Sequence, residues 1–181
     1  METERQLLDA IRSGDSQAMR RLYDRFSGYT MAIARRYIPD RDDVRDVLQD
    51  SFVSIFSSIR EFDYRGEGTL KAWVAKIVVN RSLDWIREHE RITMVPEVPE
   101  EIDDESVPDV DEVPPDILDA MIGRLPAGCR MVLNLFVFDQ LSHRQIAQRL
   151  DIQEASSASQ FFHAKKLLKE MIREYLKSQR I

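Results

Sequence analysis

The stretch "LSHRQIAQRLDIQEASSASQFFHAKKLLK", Leu141 to Lys169, decides the architecture of the C-terminal third of the chain. Ser142 followed three residues on by Gln145 is a capping box, which satisfies free backbone N–H groups at a helix start. Ile146, Ala147 and Leu150 give that short helix an apolar stripe. "DIQE", Asp151 to Glu154, is a turn, and Asp151 is able to take the left-handed conformation that a helix C-terminus often needs. A longer helix follows, to about residue 178. Two helices joined in this way form a helix-turn-helix, whose second member fits a DNA major groove. The same pattern also occurs in helical hairpins with no DNA role.

Helical periodicity puts Ala158, Phe161, Leu168, Met171, Ile172 and Tyr175 on the inner face of the second helix. Ser159, Phe162, His163 and Lys166 then face outward. An outward phenyl ring needs a partner, either thymine methyl groups or a neighbouring helix. Ser159 and His163 are suited to base edges or phosphates, and Lys165 and Lys166 to phosphates. The helix start is open between Gln153 and Ser157, since Ser157 with Gln160 offers a second capping box that would shorten the helix. Neither Glu-x-x-His nor His-x-x-x-His occurs in the chain, so no metal or other cofactor is expected.

Working outward, the charge is uneven. Residues 1–91 hold sixteen basic and sixteen acidic groups, 92–119 none and eleven, and 120–181 ten and five. The net charge of −6 therefore comes from "ITMVPEVPEEIDDESVPDVDEVPPD", which also holds five of the seven prolines. Such a run buries too little apolar surface to fold and is expected to be an extended linker. The expected organisation is all-α: a helical domain at 1–92, a linker at 93–114 and a second helical domain at 115–181. Helices are predicted near 4–13, 16–38, 42–61, 69–91, 115–123, 127–139, 142–150 and 155–178.

Two further faces are ordered. On the helix after "DYRGEG", Lys76, Asn80, Asp84, Arg87 and Arg91 share an arc of about 80°, bordered by Trp73. Amide, cations and an aromatic on one helix suit single-stranded nucleic acid. A solvated polar face with Trp73 in the core explains the same spacing. The preceding helix buries Val44, Leu48, Phe52, Ile55 and Ile59 and turns Asp46, Gln49, Asp50 and Val53 outward. That mostly acidic face is either solvated surface or a site for a basic or polar partner.

Several classes are excluded. The single cysteine, Cys129, has no partner for a disulfide and reads as a small core residue. No signal-peptide stretch or spanning helix is predicted, so membrane insertion is not expected and the cytoplasm is the expected location. With no phosphate loop, metal-ligand spacing or nucleophile constellation, an enzyme is not expected.

The segment "DRDDVRDVLQDSFVSIFSSIREFDYRGEGTLKAWVAKIVVNRSLDWIREHER" resembles the second conserved region of bacterial sigma-70-family factors. The likeness lies in the Asp-x-x-Gln-Asp-x-Phe core, the Ala-Trp pair and the Asn-x-x-x-Asp. "LPAGCRMVLNLFVFDQLSHRQIAQRLDIQEASSASQFFHAKKLL" resembles their fourth region. With two lobes and a linker, the chain is most similar to the extracytoplasmic-function group.

The resemblance implies roles. Asp46, Gln49, Asp50 and Phe52 match the helix that docks on the clamp coiled coil of core RNA polymerase. The loop from Phe62 to Gly68, with Tyr64 and Arg65, together with Trp73, Lys76, Asn80, Asp84 and Arg87, matches the part that melts the minus-ten element and captures a flipped base. Arg144, Ser159, Gln160, Phe162, His163, Lys165 and Lys166 match the minus-thirty-five contacts. The linker matches the segment that threads polymerase toward its RNA channel. The implied partners are core RNA polymerase, promoter DNA and an anti-sigma factor.

The chain departs from the pattern in places. Ala155, Ser156 and Ser157 stand where similar factors have Gly-Thr-Val, and Gln160, His163 and Lys165 stand where arginines are usual. Asp151 replaces the turn glycine. Fewer guanine and phosphate contacts are therefore expected. Two other classes fit the residues alone: a helix-turn-helix regulator that needs no polymerase, and a helical protein adaptor.

Overall fold

Pro39 shows how locally the helix limits are set. It forces the preceding Ile38 into extended backbone (φ −121°, ψ 116°), which ends one helix at Tyr37. Asp40 then caps the next, its carboxylate accepting the N–H groups of Asp42 and Asp43 at 2.8 and 3.2 Å. The computed structural model describes residues 2–93 and 110–179. These divide into two units, Met1–Glu88 and His89–Ile181.

The first unit holds α1 (Glu4–Arg12), α2 (Ala18–Tyr37), α3 (Arg41–Ser58) and α4 (Thr69–His89). Thr3 and Gln6 form a capping box at the start of α1. Ser54, Ser57 and Ser58 turn their hydroxyls back to the carbonyls of Asp50, Val53 and Ser54, and α3 tightens into a 3-10 turn at Ile59–Glu61. The core joins Leu7, Leu8 and Ile11 of α1 with Leu22, Phe26, Ile55 and Leu70.

In the second unit a short 3-10 turn at Val110–Glu112 leads to α5 (Pro115–Gly123), α6 (Ala127–Val137), α7 (His143–Leu150) and α8 (Glu154–Gln179). The helix α8 packs on α6 and α7. The expected linker lies for the most part outside the described residues. Its last residues belong to the second unit, because Val113 is apolar and buries itself against Met121 and Ile172.

All eight predicted helices are present, and no strand occurs among the described residues. The start of α8 falls at Glu154, at the early end of the expected range. Ser157 is not a cap, since its N–H already donates to the Gln153 carbonyl oxygen. No helix among the described residues is long and apolar enough to cross a membrane.

Candidate nucleic-acid and polymerase interface

In the first unit, α3 presents Asp46, Gln49 and Asp50 to solvent, with Val53 59% exposed beside them. Phe52 is not among them. It is 6% exposed, with its ring 4.7 Å from that of Tyr23 and 5.7 Å from that of Phe56. The motif phenylalanine therefore supports the face from within, because an aromatic ring contributes most where it removes most area from water. Beside this face lies a cleft of about 410 Å³ lined by Tyr23, Met31, Arg45, Gln49, Val53 and Phe56. Tyr23 and Met31 come from α2 and were not foreseen; Tyr23 is a large aromatic that is 47% exposed.

A larger groove, about 880 Å³, runs between the end of α3, the 62–68 loop and α4. Arg65, Trp73, Lys76, Asn80 and Asp84 all line it, so the structure brings together five of the seven residues expected there. Phe62 lies against Trp73 with ring centroids 5.0 Å apart. The wall also includes Ser54, Glu61, Asp63 and Arg81, and Arg81 donates to Ser54 Oγ at 2.8 Å. Asp63 belongs to the Phe62–Gly68 loop expected here, whereas Ser54, Glu61 and Arg81 were missed because they sit on other elements or on the flank of the chosen arc. The other two expected residues lie outside the groove. Tyr64 packs against the core and donates its hydroxyl to Glu67 at 2.9 Å, and Arg87 pairs with Asp84 at 3.0 Å. Desolvation, and then the Glu67 carboxylate, push the Tyr64 phenol up from its ordinary value.

The groove mixes signs. Arg65, Lys76 and Arg81 face Glu61, Asp63 and Asp84, and Arg65 Nε meets Asp63 at 2.8 Å. A purely phosphate-binding surface would be basic throughout. Aromatic faces beside carboxylates, an amide and cations suit an unpaired base, whose edge offers both donors and acceptors and whose ring stacks.

In the second unit the helix-turn-helix is built as its sequence indicates. Ser142 and Gln145 form the capping box, and Asp151 is left-handed (φ 56°, ψ 51°). Arg144, Lys165 and Lys166 are exposed, while Phe162 and His163 are half-buried with their rings edge-on at 6.0 Å. Two expected contacts are corrected. Gln160 is fully buried and Ser159 is 5% exposed. Gln160 turns inward because α6 supplies a partner there: the Cys129 thiol donates to its Oε1 at 3.2 Å. Of the residues expected to contact the minus-thirty-five element, Arg144, Phe162, His163, Lys165 and Lys166 remain exposed or half-buried.

His143 opens α7 and was not foreseen as a structural residue. Its ring stacks on Phe136 at 4.7 Å, and Nδ1 lies 2.9 Å from Ser157 Oγ. Desolvation holds its pKa below the ordinary histidine value; Glu154 opposes this and Lys165 adds to it. No group of three or more His, Cys, Asp or Glu side chains that would hold a metal occurs among the described residues.

The comparisons follow the same division. The family model described as "Sigma-70 region 2" matches residues 22–92, and that described as "Sigma-70, region 4" matches 116–168. The chain is 26% identical to an "ECF RNA polymerase sigma-E factor" of Haemophilus influenzae, covering 94% of this chain and 95% of the relative. It is 22% identical to the "RNA polymerase sigma-H factor" of Pseudomonas aeruginosa, covering 97% of each. Among solved structures, CnrH in complex with the cytosolic domain of CnrY matches with a TM-score of 0.52 at 21% identity, over 94% of this chain and 97% of that one. That likeness concerns the fold.

Proposed function

The chain belongs to the sigma-70 family, in its extracytoplasmic-function group, and on that premise we propose how its two units act in transcription initiation. It is a sigma factor, a non-enzymatic protein that directs core RNA polymerase to promoters. We assign the exposed α3 residues Asp46, Gln49 and Asp50 to the polymerase contact, with Phe52 holding that face rigid from behind. The α4 groove, with Trp73, Lys76, Asn80 and Asp84, takes the melted minus-ten strand. Arg144, Phe162, His163, Lys165 and Lys166 read the minus-thirty-five duplex. An anti-sigma factor is the further partner expected of the group, and the cytoplasm is the location where all of these partners meet.

The groove of about 880 Å³ carries this reading, because it gathers an aromatic pair, an amide and charges of both signs beside a helix that ends in the matched region. Reconstituted run-off transcription with core polymerase on a genomic fragment library tests it. The expected result is transcripts starting downstream of shared minus-thirty-five and minus-ten sequences. Sequence-specific duplex binding without any polymerase association would instead make the protein an ordinary helix-turn-helix regulator.

A further inference from the structure

Helix α1 precedes the segment matched by the region 2 family model, which begins at residue 22. It nonetheless grips the loop between α3 and α4 at both ends. Glu4 is only 3% exposed. Its Oε2 accepts the N–H groups of Gly68 and Leu70 at 2.9 and 3.0 Å, and its Oε1 that of Lys71 at 3.1 Å. These are the donors that the first turn of α4 leaves free, where a negative charge is also favoured by the helix dipole. In return Glu67 accepts the backbone N–H of Glu4 at 3.0 and 3.2 Å. Two turns further along α1, Arg12 Nη2 donates to the Phe62 carbonyl oxygen at 2.6 Å.

A helix that merely completed the core would need only Leu7, Leu8 and Ile11, all of which are buried. The polar grip has a different object. The loop contains Gly66 and ends at Gly68, at φ 133° and 89°, positions with wide conformational freedom. It also carries Phe62, whose ring lies tilted against Trp73 at 5.0 Å, and Arg65, which lines the groove. Fixing Phe62 and Gly68 to one rooted helix removes that freedom before any DNA arrives.

We propose that Glu4 and Arg12 are positioning residues for minus-ten recognition, holding the Phe62–Gly68 loop against α4 so that the Trp73 groove is preformed for an unpaired promoter base. This rests on the reading that the groove takes the melted strand.

The test uses the full-length factor with core polymerase and a promoter fragment pool whose minus-ten segment is randomised. Glu4→Ala and Arg12→Ala are compared with Arg12→Lys, which keeps a donor. The alanine variants are expected to bind core within about twofold of wild type yet form about tenfold fewer open complexes. At protein concentrations that equalise occupancy, they should also select minus-ten bases less sharply, and Arg12→Lys should restore the selection. A purely structural role would not relax base choice. Unchanged base selection overturns the proposal, as does a loss of helicity and core binding in step with the loss of open complexes. A wild-type factor that binds core but selects no minus-ten bases overturns the groove reading first, and that result is seen without any variant.

Discussion

The thiol of Cys129 on α6 donates to the side-chain oxygen of Gln160 on α8 at 3.2 Å, and both residues are fully buried. This bond draws into the core a glutamine from the helix whose outer face carries the proposed minus-thirty-five residues. An amide buried without a partner costs about 1–3 kcal/mol, so the contact fixes the rotation of α8 about its axis. It thereby decides which side chains α8 turns to solvent.

Gly128 makes room for that amide. A Cβ at position 128 would lie 2.9 Å from Gln160 Oε1 and 3.2 Å from Gln160 Cδ. Gly128→Ala gains up to about 1 kcal/mol of helix propensity but forces the glutamine from its place, at about 1–3 kcal/mol for overpacking. A net loss of about 1 kcal/mol in denaturant unfolding is expected. The loss should vanish in a Gln160→Ala background, and equal effects in both backgrounds would show that the two side chains do not compete for the space.

Burial pushes the Cys129 thiol up to about 11. Near pH 8 only about one molecule in a thousand carries the reactive thiolate. As the chain's single cysteine, Cys129 should resist iodoacetamide in the native protein and react promptly in denaturant. Labelling then reports opening of the second unit alone, and rapid modification under native conditions would contradict this burial.

The helices were legible because their limits are written locally. Pro39, Ser142 with Gln145, and Asp151 act on neighbours within four residues. The register of α8 was only half legible. Apolar periodicity found Phe161 and Leu168 but gave no sign that Gln160 turns inward, because its partner lies 31 positions away on another helix. The groove followed the same rule. The α4 arc was visible as a helix face, whereas Ser54 and Glu61 joined it only once the end of α3 and its 3-10 turn were folded beside it. Glu4 in a first helical turn reads as ordinary dipole compensation, and nothing local points across 64 residues to Gly68.

His143 makes the second unit sensitive to acid. Its folded-state pKa lies below the ordinary 6.5 because burial against Phe136 and Ser157 disfavours the charged ring. The unfolded chain therefore binds the proton more readily. This contribution to stability is complete above about pH 6.5 and is lost as pH falls through the lower folded value. Unfolding midpoints of wild type should decline from pH 7.5 to 5.5 more steeply than those of His143→Phe. Parallel curves would show that the ring is not held neutral.

Gln49 and Asp50 are exposed, so replacing both by alanine should leave far-UV helicity intact. As central members of the proposed polymerase face they should together cost about 2 kcal/mol of core affinity, roughly thirtyfold. Binding of fluorescently labelled factor to purified core measures this directly. Affinity within twofold of wild type would move the contact elsewhere.

Asn80 tests promoter melting. Its exposed amide lines the groove beside Trp73 and Lys76 and offers a donor and an acceptor to a base edge. On a duplex promoter, capturing an extruded base must offset the few kcal/mol spent on unpairing and unstacking it, so a weakened contact lowers the open population in full. A pre-melted template has already removed that cost, and much of the binding survives. Asn80→Ala should therefore lower open-complex yield on duplex promoters by about tenfold, corresponding to about 1.4 kcal/mol, and affect pre-melted templates much less. Asn80→Asp, which keeps the acceptor and loses the donor, separates the two halves of the amide. Equal losses on both templates would mean that Asn80 supports docking or folding rather than base capture.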